Sequence, residues 1–361
     1  MKNLTYIIAE IGVNHNGNVQ LAKQMIAECK KCGANAVKFQ TYKASRICDG
    51  NIGKANYQKK SSGIESQYQM LKKYELNYKD FRKLKQYADK IDIDFLTTIA
   101  DKNDLDFLIN DLKLQTIKIG SSDLTNIQLL IHIGMSKKKV IISTGMSTDK
   151  EIEIALSALS YGYHKNDFKF NNAKHKNYFT KSEKYLSQKI TMLHCTTEYP
   201  APVNELNLNV LETMKNKYKC KIGYSDHSVN MLTPIIAVTK KACIIEVHVT
   251  KSKNLSGPDH KSSLNFKEFL QYIKNIRMTE IILGIPKKTI TKSEKKNMKH
   301  VLKKIYCDKT LESESVISDS DIYCKRSLVG IPAYQYSNVI SKKTKKKINE
   351  NQAIKNRDIN K

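Results

Sequence analysis

The stretch QTIKIGSSDLTNIQLLIHIGMSKKKVIISTG, residues 115–145, decides the fold. Two short runs rich in β-branched residues, QTIKIG from 115 and KVIISTG from 139, bracket DLTNIQLLIHIG, whose apolar residues recur at spacings of three and four. That is one strand–helix–strand unit, and the alternation continues in both directions. LTYIIAE from 4, ANAVKFQ from 34 and DIDFLTT from 92 precede it; KITMLHCT from 189, CKIGYSD from 220 and ACIIEVHVT from 242 follow. Helical patterns such as VQLAKQMIAECKKC, YKDFRKLKQYADK, DKEIEIALSALSY and NLNVLETMKNKY fill the gaps. Eight such strands predict an α/β fold of the (β/α)8 TIM-barrel type over residues 1–280. Past the helix NFKEFLQYIKNIR the pattern changes, to a linker over 281–300 and a small basic module over 301–361.

The chain has 361 residues, 40% of them hydrophobic and 27% charged, which suits a globular enzyme and excludes collagen-like, coiled-coil and disordered chains. No window offers the roughly 20 apolar residues a membrane helix needs. The opening MKNLTYIIAEIGVNHNG breaks at Glu10 with no small-residue cleavage site, so it does not read as a convincing signal peptide, and a cytoplasmic location is expected. Lys and Arg number 62 against 35 Asp and Glu, a net charge of +27. The basic residues are interleaved along the chain without a nucleic-acid motif, so they read as a solvated surface, with nucleic-acid binding a minor alternative. Eight cysteines at irregular spacing form no disulfide framework; Cys29 and Cys32 are a single CxxC with no second pair to complete a zinc site, and read as structural thiols.

Two connections are long. Residues 41–65 follow the second strand and should lie over the catalytic mouth, so they are expected to be functional; the Lys- and Asn-rich residues 162–188 precede the sixth and read as a dispensable surface insertion on the opposite side.

Polar residues fall where a barrel enzyme needs them, at the carboxyl ends of strands: Glu10, Lys38 and Gln40, Thr97 and Thr98, Lys118 with Ser121 and Asp123 beyond, and Ser143. Strand six is expected to end at Thr196, with Thr197 and Tyr199 after it; strand seven at Ser225 and His227; strand eight at Glu246 and His248. Two lysines among hydroxyls suit a small substrate carrying phosphate and carboxylate. His227 and His248, on adjacent strand ends, suit a divalent metal with positions left for substrate and water. His194 is read as a packed residue. The GxGxxG, Walker A, GxSxG and HExxH patterns are absent.

Several stretches together resemble the sialic acid (N-acetylneuraminate) synthase family, which includes legionaminic acid synthases. They are AEIGVNHNG at 9–17, VKFQ at 37–40, SQYQMLKKYEL at 66–76, KIGSSDLTN at 118–126 and STGMST at 143–148. HCTTEYPAP at 194–202, GYSDHS at 223–228, EVHVT at 246–250 and GPDHKSSL at 257–264 continue the match, and ESVISDSDIYCKRSLVGIPAYQYSNVISKK at 314–343 resembles the family's antifreeze-like (SAF) domain.

The resemblance implies condensation of phosphoenolpyruvate with an open-chain acetamido sugar such as N-acetylmannosamine, with C–O cleavage and release of phosphate. It implies manganese or magnesium on His227 and His248. Lys38, Thr98, Lys118, Ser121, Ser143, Thr197 and Ser225 would hold phosphoenolpyruvate; Gln40, Tyr199 and Asp259 would face the sugar. Glu10 and Asp123 would move protons. Arg326 would reach the acetamido group in a partner subunit of a domain-swapped homodimer. Within the family, TTEYPAP and GPDHKSSL look more like the neuraminate and legionaminate synthases than the pseudaminate ones. Departures are TTIADK at 97–102, where members carry Ser-Thr-Pro-Phe, EVHVT without the usual Lys and Phe, and KRSLVG without the Pro-Gly. Rival readings are a Schiff-base aldolase using Lys38 or Lys118, and a barrel retained for binding alone.

Overall fold

In the computed structural model, which describes residues 4–50, 52–54, 66–180 and 183–360, the chain divides into two units, Met1–Gly284 and Ile285–Lys361. The first is a closed parallel barrel. Its strands are β1 (Tyr6–Gly12), β2 (Ala36–Gln40), β3 (Asp94–Thr98), β4 (Thr116–Ile119), β5 (Lys139–Ser143), β6 (Ile190–His194), β7 (Lys221–Asp226) and β8 (Ile244–Thr250). They pair in sequence order, and β1 also pairs with β8 to complete the ring.

The helices following the strands are α1 (Val19–Cys32), α2 (Tyr78–Lys90), α3 (Lys102–Asn110), α4 (Ile127–Met135), α5 (Asp149–His164), α6 (Val210–Tyr218), α7 (Thr233–Thr239) and α8 (Phe266–Leu283). Local chemistry sets their ends. Asn126 caps α4 through the Leu129 amide, and capping boxes open α5 (Thr148 with Glu151) and α8 (Asn265 with Glu268). Gly33 closes α1 in the left-handed conformation (φ 96°). The helices α4 and α5 touch backbone to backbone at Gly134 and Gly162, where a Cβ on either would meet the other's Cα at 2.9 Å.

Strand alternation sorts the side chains. One face of each strand joins the main core beneath the helices; the other points to the barrel axis in three layers. The middle layer is apolar: Ile8, Ala36, Leu96, Ile141, Leu193 and Ile244. Two residues further along their strands stand Glu10, Lys38, Thr98, Ser143 and Glu246, which makes the carboxyl end a polar chamber with an apolar base.

The expected strands are present, with differences at their ends. Strand β6 stops at His194, so Thr196 lies in the following loop, and β1 runs past Glu10 to Gly12 with a register shift between them. A two-residue strand β9 (Leu264–Asn265) adds to β8. Of the long connection after β2, residues 55–65 lie outside the described residues; the rest holds the helices Ala44–Ile47 and Gln67–Tyr74. The insertion at 162–188 is no loose loop. It begins in the last turn of α5, and its aromatic residues meet the barrel helices: Phe170 and Tyr178 on Tyr161 at 5.6 and 5.0 Å, Tyr185 on Tyr163 at 5.4 Å. Its lysines and asparagines hide this pattern in the composition.

The stretch expected as linker, 281–300, contains the end of α8 and most of α9 (Lys292–Val301), capped by Thr291. The second unit pairs β10 (Lys303–Cys307) with β11 (Ile322–Arg326), antiparallel, over a small core that includes Ile305, Ile317, Val339, Ile348 and Ile354. All eight cysteines are free. Cys29 and Cys32 lie on the buried face of α1, which pushes their thiols up. No described helix is long and apolar enough to cross a membrane.

Candidate active site

Two ammonium groups and two carboxylates occupy the base of the chamber, all buried. Lys38 Nζ stands 3.1 Å from Glu10 Oε2 and 3.6 Å from Glu246 Oε2; Lys118 Nζ lies 3.7 Å from Glu246 Oε1. Lys118 also donates to Ser143 Oγ (2.7 Å) and the Ile119 carbonyl (3.1 Å), and Ser225 Oγ donates to Glu246 Oε1 at 2.9 Å. Gln40 Nε2 donates to Glu10 Oε1 at 3.0 Å.

These surroundings divide the two carboxylates. Burial pushes Glu10 up, to about 7, against the pull of Lys38. Burial acts on Glu246 too, but Lys118, Lys38 and the Ser225 hydroxyl outweigh it and hold that carboxyl down at about 2. Near neutral pH Glu10 is poised to exchange a proton while Glu246 stays ionised, the separation that acid–base work requires. The lysines divide as well: burial lowers Lys118 despite Glu246, whereas Glu10 and Glu246 overcome burial and keep Lys38 above its ordinary value.

Next to this cluster His227 and His248 face each other with ring centroids 5.6 Å apart. His227 Nδ1 is held by the Thr196 carbonyl at 2.6 Å, which leaves Nε2 turned toward Ser225 Oγ at 3.2 Å and Tyr199 OH at 3.4 Å. Tyr199 stacks on His227 at 4.2 Å and meets His248 edge-on at 5.3 Å. His248 Nδ1 is buried without a hydrogen-bond partner, 4.0 Å from Asp259 Oδ2. Burial lowers both imidazoles, which keeps their lone pairs free. A neutral imidazole oriented by a backbone carbonyl, beside a second with an unsatisfied nitrogen, fits a divalent cation. Among the described residues no group of three or more His, Cys, Asp or Glu side chains is arranged to hold a metal.

The expected hydroxyls form a third group. Ser121 Oγ accepts from the Gly145 amide at 3.1 Å and meets Cys195 Sγ at 3.2 Å, and Thr197 Oγ1 is buried and unsatisfied. A Cβ at Gly145 would overlap Thr197 Oγ1 and sit 2.9 Å from Ser121 Oγ, so a larger residue there would displace both hydroxyls. Thr98 pairs in register with Lys118. Asp259 is buried on the loop after β8, which raises its carboxyl to about 6. Asp123, on the turn after β4, takes a hydrogen bond from Ser122 Oγ at 3.1 Å and a second from Asn126, while burial raises its carboxyl. Arg326 is exposed at the end of β11 in the second unit. His194 points away from the axis and bonds the Leu206 carbonyl at 2.8 Å, as its place in the alternation requires.

The residue with most contacts to the lysines, Glu246, had a place on the rim in the sequence but no role. The signal was alternation: Glu246 and His248 are two apart on one strand and share the inward face.

A model described as the NeuB family matches residues 25–288. The chain is 40% identical to the N,N'-diacetyllegionaminic acid synthase of Campylobacter jejuni, over 97% of this chain and 99% of that protein. It is 35% identical to the N,N'-diacetyllegionaminic acid synthase of Legionella pneumophila over 93% and 89%. Among solved structures, the N-acetylneuraminic acid synthetase of Leptospira borgpetersenii superposes with a TM-score of 0.66 at 32% identity, covering 82% of this chain and 90% of that one. With the family model matched over most of the barrel and a relative 40% identical along its whole length, this chain belongs to the NeuB family of acid synthases.

Proposed function

We propose that the chamber condenses phosphoenolpyruvate with the open-chain aldehyde of an acetamido sugar, releasing phosphate with C–O cleavage and forming a nonulosonic acid. The observation that carries this reading is the buried set Lys38, Lys118, Ser143 and Ser225 beside two neutral imidazoles: cations and hydroxyls for a small dianion, next to a place for an aldehyde. Lys38 and Lys118 neutralise phosphate and carboxylate, and Ser121, Thr197 and Thr98 supply hydrogen bonds around them. The unsatisfied Thr197 hydroxyl is free for that purpose.

His227 and His248 would hold manganese or magnesium, which when bound polarises the aldehyde as a Lewis acid and orients water. The methylene of the enolpyruvate attacks the aldehyde carbon, water adds to the oxocarbenium carbon, and phosphate leaves. Glu10, poised near neutrality, exchanges the proton at that step, with Gln40 fixing its orientation; Glu246 stays charged and stabilises the developing cation. Asp123 serves in proton transfer only if substrate draws it toward the cluster. Tyr199 and Asp259 shape the sugar side. The names of the Campylobacter and Legionella relatives favour a 2,4-diacetamido hexose over N-acetylmannosamine.

The second unit is assigned as a SAF domain by its sequence, and a domain-swapped homodimer would bring Arg326 to the sugar of a partner subunit. Supporting this, Arg326 is exposed and is followed by Leu328 and Val329, also exposed.

The test is phosphate release from phosphoenolpyruvate with manganese and each of N-acetylmannosamine and the two diacetamido hexoses, reading product mass. Release with one sugar and a mass of sugar plus pyruvate moiety establishes the reaction; silence with all three overturns it. A Schiff-base route draws on one observation, the burial that lowers Lys118. Its ammonium is, however, engaged by a carbonyl, a hydroxyl and a carboxylate, and borohydride with pyruvate should trap nothing.

A further inference from the structure

At the amino end of the barrel, on the far side of the apolar layer, lies a second concavity of about 1060 Å³. It is built by the same alternation that builds the catalytic chamber. Lys139 and Lys221, the first residues of β5 and β7, share inward parity with Ser143 and Ser225, as Tyr6 on β1 shares it with Glu10. Leu96, Ile141 and Ile244 from the apolar layer form its floor, and Lys85, Lys113 and Lys189 stand around its rim.

The charge there is not balanced. Five lysines line the cavity against two carboxylates, and both carboxylates are engaged: Asp89 pairs with Lys85 at 2.6 Å, and Asp94 accepts the Tyr6 hydroxyl. Lys189 donates to the Lys137 carbonyl at 2.8 Å. Lys113, Lys139 and Lys221 make no ion pair with any described residue. Like charges around one concavity raise its positive potential, which favours an anion there. Lys139 and Lys221, exposed at this end of the barrel, offer two ammonium groups without protein counter-charges, which an anion entering the concavity would neutralise.

The size and floor narrow its class. The volume is that of a ligand pocket for a molecule with a body as well as charges, and an apolar floor beside the Tyr6 ring accepts an aromatic or apolar group. We propose that this cavity binds a small phosphorylated ligand with an aromatic body, of the nucleoside di- or triphosphate kind, with the phosphates on Lys139 and Lys221 and the body against Leu96, Ile141 and Ile244. This site is separate from the catalytic chamber and does not rest on the reaction proposed for it.

The experiment is calorimetric titration of the full chain with ATP and, separately, with inorganic tripolyphosphate, both with phosphoenolpyruvate saturating the chamber and no added metal. One ATP site per chain is expected, weakened about tenfold or more in K139E/K221E, with tripolyphosphate weaker than ATP. Turnover of the double variant without nucleotide should match the parent. If that variant does not fold by circular dichroism, K221E alone, at an exposed position, carries the test. ATP that fails to bind at about 1 mM, or that binds the variants as tightly as the parent, overturns the site. Tripolyphosphate binding as tightly as ATP overturns the aromatic part of the assignment.

Discussion

Tyr272, on the outer helix α8, donates its hydroxyl to the buried carboxylate of Asp226 over 2.7 Å, and Asp226 immediately precedes His227. The same carboxylate accepts from the Ser228 amide (2.9 Å), the Ser228 hydroxyl (2.6 Å) and Thr233. The end of β7, and so the placement of His227, is fixed from outside the barrel. Tyr272→Phe removes one donor from a buried anion and should cost about 1–3 kcal/mol of stability. Urea unfolding at neutral pH measures this, and an unchanged midpoint would show that the contact contributes nothing.

Lys118→Ala takes away a cation that Ser143, Ile119 and Glu246 hold in place. The expected result is a raised KM for phosphoenolpyruvate and a lower kcat, with kcat/KM down by roughly a hundredfold. Steady-state kinetics at saturating sugar tests it; parent-like constants would remove Lys118 from the site.

Glu10 makes stability depend on pH with a definite sign. Its carboxyl titrates near 7 in the folded chain against 4.5 as an ordinary side chain, so between those values the folded state holds the extra proton. That contribution is fully present below the ordinary value and is lost as pH rises through about 7. Glu246 runs the other way: held at about 2, it adds stability above its ordinary value that is lost as pH falls toward 2. The buried imidazoles contribute with the opposite sign in both proteins, so the test is the difference: the melting temperature of metal-free parent minus that of E10Q should fall as pH rises from 4.5 to about 7. Parallel curves for the two proteins would refute the assignment.

Manganese binding should track the two imidazoles. His227→Ala should abolish turnover and weaken manganese binding at least tenfold by titration calorimetry, roughly the loss a ligand or its orienting partner carries. Full activity in excess chelator would contradict a metal-assisted step.

Arg326→Ala should raise KM for the sugar and leave KM for phosphoenolpyruvate within about twofold, because its cation is assigned to the acetamido side alone. An effect confined to phosphoenolpyruvate would refute that assignment.

The barrel was legible because each strand carries its own signal. A run such as KVIISTG is apolar on both faces in its middle and polar at its end, and eight repeats of that grammar leave few folds to consider. Strand ends were less legible: KITMLHCT looks extended through Thr196, but the backbone leaves the sheet at His194, whose ring turns to the Leu206 carbonyl instead. The insertion misled by composition, since Tyr178 and Tyr185 are scattered among lysines and their partners on α5 come from an earlier stretch of chain.

Site residues were found by type and position, but their coupling was not. Nothing local in EVHVT says that Glu246 lies within 4 Å of two lysines from β2 and β4, because that proximity exists only once the ring has closed. Asp123 stands in a well-matched stretch, and on the turn after β4 its carboxylate takes hydrogen bonds from Ser122 and Asn126.

The apolar layer of Ile8, Ala36, Leu96, Ile141, Leu193 and Ile244 turns the chamber above it into a room with one door. With hydrocarbon at its base, the chamber would admit a charged molecule to Lys38 and Lys118 from the carboxyl end, so on the proposed reaction the molecule that seats there would arrive before one that lies over it. On that reading, six hydrocarbon side chains at the floor set the order of traffic above them.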